Sequence, residues 1–316
     1  MPVKELASLL ALYFARAVVA SICAEQPTRE RLLASSRARS SLTSAVATCI
    51  RPASVLYLGM LRELLTDADP APFRIERPAG TSPCFFTCDH AGNALPARLG
   101  QLGLTAAELT RHIAWDIGIA EVAQRLSHQL DAFLIMQTYS RLVIDANRPP
   151  GTPQSIVTLS ERTQISGNEQ LSEAEAARRE REIFRPYHDR IRDELDARAA
   201  SRRPTVLVSL HSFTPSFMER SRPWHAGVLY QRDARIGHAL LELLRADPEL
   251  VVGDNEPYAV NDDTDYTVVT HGEKRGLAHV EIEIRQDLIS TNEGQDAWAT
   301  RLAQLLPQTH SGMFPT

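Results

Sequence analysis

The chain contains no run of about 18 apolar residues, the length that a membrane-spanning helix requires. Its closest approach, Leu6 to Ala24, is interrupted by Arg16. A large charge of one sign is also missing. The balance of 34 Lys and Arg against 39 Asp and Glu leaves −5, without the basic field of a general nucleic-acid binder. Only four cysteines occur, Cys23, Cys49, Cys84 and Cys88, and their spacing is no disulfide framework. Cys84-x-x-x-Cys88 lacks the second pair of a zinc knuckle, and on a strand the two thiols would share a face yet lie too far apart to bridge. Cysteine use of this kind suits a reducing cytoplasm.

One local absence divides the chain. Between Arg31 and Arg62 there is no Asp or Glu, while Arg and Ser are abundant. Residues 1–60 therefore read as an atypical N-terminal extension, helical (Glu5–Cys23) or disordered. A targeting peptide, with Lys4 ahead of Leu6–Ala15, fits this composition, as does an extension upstream of a start at Met60. Ordinary globular composition begins near residue 61, so residues 61–316 form the folded domain.

Within that domain the pattern alternates. Pro83–Cys88 is a short apolar run closed by a polar turn, and Ala132–Gln137 and Thr205–Leu210 are further buried strands. Gly227–Tyr230 adds a strand. Ala278–Ile284 alternates apolar with charged residues, so one of its faces meets a polar site. Capping boxes at Thr105-x-x-Glu108 and Ser172-x-x-Glu175 open helices expected to reach Gln129 and Ala200. Asp233 is expected to cap a helix to Arg245, and Asn292–Leu306 is the last helix. Strands alternating with long helices imply an α/β fold, a three-layer α/β/α sandwich around a mixed, mostly parallel sheet.

In such sheets, sites form beyond the carboxyl ends of central strands. His90 and His211 follow two of these strands, and imidazoles held on rigid strands are good zinc ligands, being neutral at pH 7. A single histidine there more often bonds a loop; two at equivalent positions favour a metal. Asp116 lies on the apolar stripe Leu109, Ile113, Ile117, Ala120 of the Thr105 helix. A carboxylate on that stripe needs an arginine, a loop to cap or a metal ion. Arg141, Asn147 and Arg148 form a donor group after a strand that suits an acidic ligand, or else an ion pair with Asp145. Glu281, Glu283 and Arg285 share one strand face, where a glutamate can serve as a general base.

The motifs Cys-Asp-His-Ala-Gly-Asn-x-x-Pro at 88–96 and His-Ile-Ala-Trp-Asp-Ile-Gly at 112–118 are followed by Ser-Arg-Leu-Val-Ile-Asp-x-Asn-Arg-Pro at 140–149. Pro-Tyr-His at 186–188, Leu-His-Ser-Phe-Thr-Pro at 210–215, Gly-Asp-Asn-Glu-Pro-Tyr at 253–258 and Glu-Ile-Glu-Ile-Arg-Gln-Asp at 281–287 complete the series. The ordered set resembles the N-formylglutamate amidohydrolase family, and more distantly the zinc carboxypeptidase and aspartoacylase group, over roughly residues 72–307.

The resemblance implies a zinc-exopeptidase-like fold and hydrolysis of N-formyl-L-glutamate to formate and L-glutamate, a step of histidine degradation. It implies one Zn²⁺ on His90, Asp116 and His211, Glu283 as general base in preference to Glu281, and Arg141, Asn147, Arg148 and Arg285 on the substrate. The wider group supplies its first ligands as His-x-x-Glu, whereas Asn93 stands three places after His90. The acidic ligand must then come from elsewhere, from Asp116 rather than Asp89. The implied partner is a small acidic N-acyl amino acid, handled by a monomer or small homo-oligomer. Three rivals remain: the same chemistry on another N-acyl amino acid or a peptide C-terminus, a Cys88 nucleophile, and a metal- or amino-acid-binding protein without turnover.

Overall fold

The computed structural model describes residues 63–314. The N-terminal extension of residues 1–60, with its candidate helix Glu5–Cys23, lies outside the described residues.

A seven-stranded mixed sheet forms the middle layer, in the order β1-β3-β2-β6-β11-β9-β10. Its strands are β1 (Phe73–Glu76), β2 (Cys84–Cys88), β3 (Phe133–Gln137), β6 (Val206–Phe213), β9 (Ala226–Leu229), β10 (Val252–Asp254) and β11 (His279–Arg285). Pairing is parallel except where β1 meets β3 and β9 meets β11. Two small hairpins, β4 (Leu159–Ser160) with β5 (Thr163–Gln164) and β7 (Ser216–Phe217) with β8 (Arg220–Ser221), rise from the loops.

The helices are α1 (Ala106–Leu109), α2 (Ile119–Leu130), α3 (Glu173–Arg179), α4 (Arg185–Ala200), α5 (Arg235–Arg245) and α6 (Asn292–Thr309). A π turn, Glu180–Phe184, joins α3 to α4, so the Ser172 box does open a nearly continuous helical stretch to Ala200. No helix among the described residues is long and apolar enough to cross a membrane.

Strand alternation sorts the core into two faces. On one, Phe86 and Cys88, Val208 and Leu210, and Val280, Ile282 and Ile284 pack under Val122 and Leu126 of α2, Leu240 of α5 and Leu302 of α6. On the other, Phe85, Phe133, Ile135 and Leu207 meet Tyr187, Ile191 and Leu195 of α4. The expected three layers are present. By the same parity Ser209, His211, Glu281 and Glu283 point to the α4 face, toward the carboxyl ends of β6 and β11, where the apolar cover stops.

Two expectations are corrected. The helix from Thr105 does not run to Gln129, because it stops at Leu109 and a second helix begins only at Ile119. Gly118 stands at the break with φ +79°, and a Cβ there would meet the Ile289 carbonyl at 2.1 Å. Asp116 therefore lies in an irregular loop, and its N–H bonds the His90 carbonyl (2.9 Å) instead of continuing a helix. Strand β6 runs three residues past Leu210, so His211 sits inside the strand, opposite Glu283 of β11.

Candidate active site

Each of the two histidines turns Nε2 outward to a carboxylate. His90, just beyond β2, pairs Nε2 with Asp145 Oδ1 at 2.7 Å. His211 Nε2 approaches Asp89 Oδ2 at 3.3 Å and Ser209 Oγ at 3.1 Å. This leaves both Nδ1 atoms facing inward, 3.1 Å apart. Asp116 Oδ2 closes the triangle, 3.1 Å from His211 Nδ1 and 3.5 Å from His90 Nδ1. All three groups are buried.

That triangle is chemically one-sided. If each Nε2 carries the proton donated to its carboxylate, three lone pairs converge with no hydrogen among them, and only a cation reconciles them. Ligands about 2.05 Å from a tetrahedral ion lie about 3.3 Å from one another, which the three separations match. Without a metal, a proton takes that place. Burial opposes charge on His211, but Glu281, Asp89 and Glu283 outweigh it and raise its pKa to about 9. His90, lowered to about 4 by burial and by Arg141, stays neutral. The donor set of two imidazoles and a carboxylate fits Zn²⁺.

The supporting carboxylates are themselves anchored. Asp89 accepts from the Tyr187 hydroxyl (2.8 Å) and Thr267 Oγ1 (2.9 Å). Burial pushes its pKa up, but the hydrogen bond and charge of His211, with His90 and His188, hold it well below the usual carboxylate range. Asp145 is likewise held low by His90, Arg148 and Arg141 against burial, and it accepts the Asn147 N–H at 2.8 Å. His188 Nε2 donates to the Ala146 carbonyl (2.8 Å) and Nδ1 meets His271 Nε2 at 3.1 Å, so the Pro-Tyr-His motif props the site from behind.

Beside the triangle is a cavity of about 290 Å³ lined by His90, Asp116, Arg141, Asn147, Arg148, His211 and Glu283. All the expected site residues but one thus share a single space. Arg141 contacts Asp116. Arg148 Nη1 bonds the Asn147 and Thr264 carbonyls (2.9 and 2.8 Å) and reaches Asp265 at 3.2 Å. Asn147 Oδ1 accepts from the N–H groups of Tyr266 and Thr267, which leaves its amide nitrogen for the cavity. Glu281 and Glu283 are buried with Oε2 unpartnered. Burial pushes Glu281 up to about 8, helped by nearby Asp265 and Glu283 and opposed by His211. Burial raises Glu283 too, countered by His211, Arg141, Arg222 and Arg148.

Arg285 is the exception. It follows the strand parity, but its guanidinium turns to Asp287 (2.8 and 3.2 Å) and to the Pro223 and Trp224 carbonyls, away from the cavity lining. Tyr258, Asp265, Ser212 and Gln154 line the cavity without having been singled out. For Tyr258 and Ser212 the signal was available in the 253–258 and 210–215 motifs; no pattern marks Gln154 or Asp265. Cys88 lies on the opposite sheet face in the apolar core, and burial pushes its thiol well above the usual range, so it is no nucleophile.

The chain matches the N-formylglutamate amidohydrolase family model over residues 82–290. The chain belongs to this family. It is accordingly an amidohydrolase. A gene product of Agrobacterium tumefaciens is 37% identical, with a TM-score of 0.77 over 79% of this chain and 99% of that one. The N-formylglutamate amidohydrolase of Ralstonia eutropha JMP134 shares the fold at 20% identity and a TM-score of 0.58, covering 77% of this chain and 98% of its own. None of the curated proteins matches. Within the family frame, the seven cavity residues expected from the motifs form one continuous lining, and Arg285 stays outside it.

Proposed function

We propose that this amidohydrolase cleaves the amide of a small acidic N-acyl amino acid, with N-formyl-L-glutamate as its substrate, and that Zn²⁺ held by His90, Asp116 and His211 is required. The observation that carries this reading is the convergence of two Nδ1 atoms and a carboxylate oxygen next to an unpartnered buried glutamate in one cavity. A zinc ion at this position supplies Lewis acidity, polarising the amide carbonyl and making water acidic enough to attack at neutral pH.

The remaining chemistry belongs to the chain. Glu283 takes a proton from the attacking water as oxygen adds to the acyl carbon, and its raised pKa suits it to hold that proton. It then delivers the proton to the amide nitrogen as the C–N bond breaks, releasing formate and the amino acid. Arg141, beside Asp116, places positive charge where the carbonyl oxygen becomes negative. Asn147 and Arg148 hold the α-carboxylate. A cavity of about 290 Å³ suits a short acyl group better than a peptide.

Glu283→Gln is the direct test. It should lower kcat by several orders of magnitude while the zinc content stays that of the wild type; near-normal turnover would refute the assignment. Formyl-, acetyl- and peptidyl-glutamate assayed side by side should rank in that order.

A further inference from the structure

Among the described residues, one cation beside the cavity has no carboxylate within ion-pair distance. Arg222 stands at the foot of the β7–β8 hairpin, its N–H bonded to the Pro215 carbonyl at 2.9 Å, and the residue is only 9% exposed. Its guanidinium lies 4.8 Å over the ring of Phe217 and 4.8 Å over the ring of Tyr258. Tyr258 lines the cavity, and the Arg222 charge is felt at both Tyr258 and Glu283. Nη1 is buried without a hydrogen-bond partner.

Its neighbours differ. Arg141, Arg148 and Arg285 face Asp116, Asp265 and Asp287. Among the described residues Arg222 has no carboxylate in ion-pair range. Two rings and the Tyr258 hydroxyl fix the position of the guanidinium but give it no directly paired counter-ion, and a buried charge without one is costly. A carboxylate arriving with a ligand removes that cost, and an uncharged ligand does not.

We propose that Arg222 selects an acidic side chain in the substrate: it receives the distal carboxylate of an N-acyl diacid while Asn147 and Arg148 hold the α-carboxylate. This rests on the amidohydrolase reading above and assigns the distal contact that Arg285 does not make. Tyr258 is the link, because the ring that walls the cavity also carries Arg222 on its face. A site built to meet a charge rejects the neutral isostere by leaving its own buried group unpaired.

The test compares metal-loaded wild type, Arg222→Gln and Arg222→Lys on N-formyl-L-glutamate and the isosteric N-formyl-L-glutamine. Arg222→Gln should lower kcat/KM for the diacid by about tenfold to a hundredfold, mainly through KM, and change the neutral substrate by less than about threefold. Arg222→Lys should recover part of the loss. Equal losses on both substrates, or no loss on the diacid, would overturn the proposal. Equilibrium binding of L-glutamate and L-glutamine gives a readout that needs no turnover. Wild type should prefer glutamate, and Arg222→Gln should bind the two alike. Wild type that prefers glutamate yet cleaves no N-formyl amino acid would refute N-formyl-L-glutamate as the substrate while leaving Arg222 its role. Wild type that binds both equally would refute that role.

Discussion

Asp145 and Asp89 decide which nitrogen of each histidine faces the cavity. A neutral imidazole has one donor and one acceptor, so a carboxylate on Nε2 commits Nδ1 to be the free lone pair. Asp145 does this for His90 at 2.7 Å, and its second duty to the Asn147 N–H ties the proposed zinc ligand to the loop proposed to hold the substrate carboxylate. Asp145→Asn keeps the shape but lets the amide present either an oxygen or an NH₂ to Nε2. Zinc affinity should fall by about tenfold to a hundredfold, with a parallel loss of kcat. Competition with a chelator measures the first effect and steady-state kinetics the second; unchanged zinc affinity would show that His90 needs no orienting partner.

At the scale of elements, the break between α1 and α2 matters most for the site. Gly118 adopts a left-handed conformation against the Ile289 carbonyl, and the short loop before it brings Asp116 to His211 and the Ser212 N–H. Gly118→Ala should destabilise the fold by about 1–3 kcal/mol, from strain at positive φ and collision with backbone. Because Asp116 hangs from the same loop, zinc affinity should fall as well, a loss that calorimetric titration separates from the shift in melting temperature.

This break shows where sequence patterning stops being informative. Buried strands β2, β3, β6 and β11 announce themselves as apolar or alternating runs, and their parity placed Glu281 and Glu283 on a polar face. The stripe Leu109, Ile113, Ile117 and Ala120 had the spacing of one helix, yet a tertiary contact at Gly118 overrides it. Asp116 was found for a periodicity that the fold does not use. Arg285 fails for a different reason: parity sets the direction of Cβ, but a long side chain with Asp287 two residues away can turn out of the site. Strand β10 and the hairpins, with three and two residues to a strand, are too short to carry a periodic signal. Arg222 had no motif at all, and its meaning comes only from the rings around it.

At the scale of the whole molecule, buried neutral histidines set the response to acid. Burial lowers His188 to about 4, and burial with the charges of His188 and Arg275 lowers His271 to about 2. In the unfolded chain both titrate near 6.5. Between pH 6.5 and about 4 the unfolded state therefore binds more protons, and stability falls as pH falls through that window, by about 1.4 kcal/mol per pH unit for each histidine fully in its slope. His271 continues the loss toward pH 2. His271→Gln should flatten the plot of unfolding free energy against pH below 6.5; an unaltered slope would mean that other groups carry the acid response.

Strand order has a consequence for how the chain is made. Strand β11, residues His279–Arg285, is inserted between β6 and β9, and β9 and β10 reach the rest of the sheet only through it. A ribosome that has released residues up to 254 has delivered both histidines and Asp116, but β6 still offers an open edge and β9–β10 has nothing to dock on. The sheet closes only when this later segment slots into its middle, so Glu283 arrives with the strand that closes it. Until then the exposed β6 edge is available for wrong pairing, and the nascent protein's solubility depends on how quickly one late strand is captured.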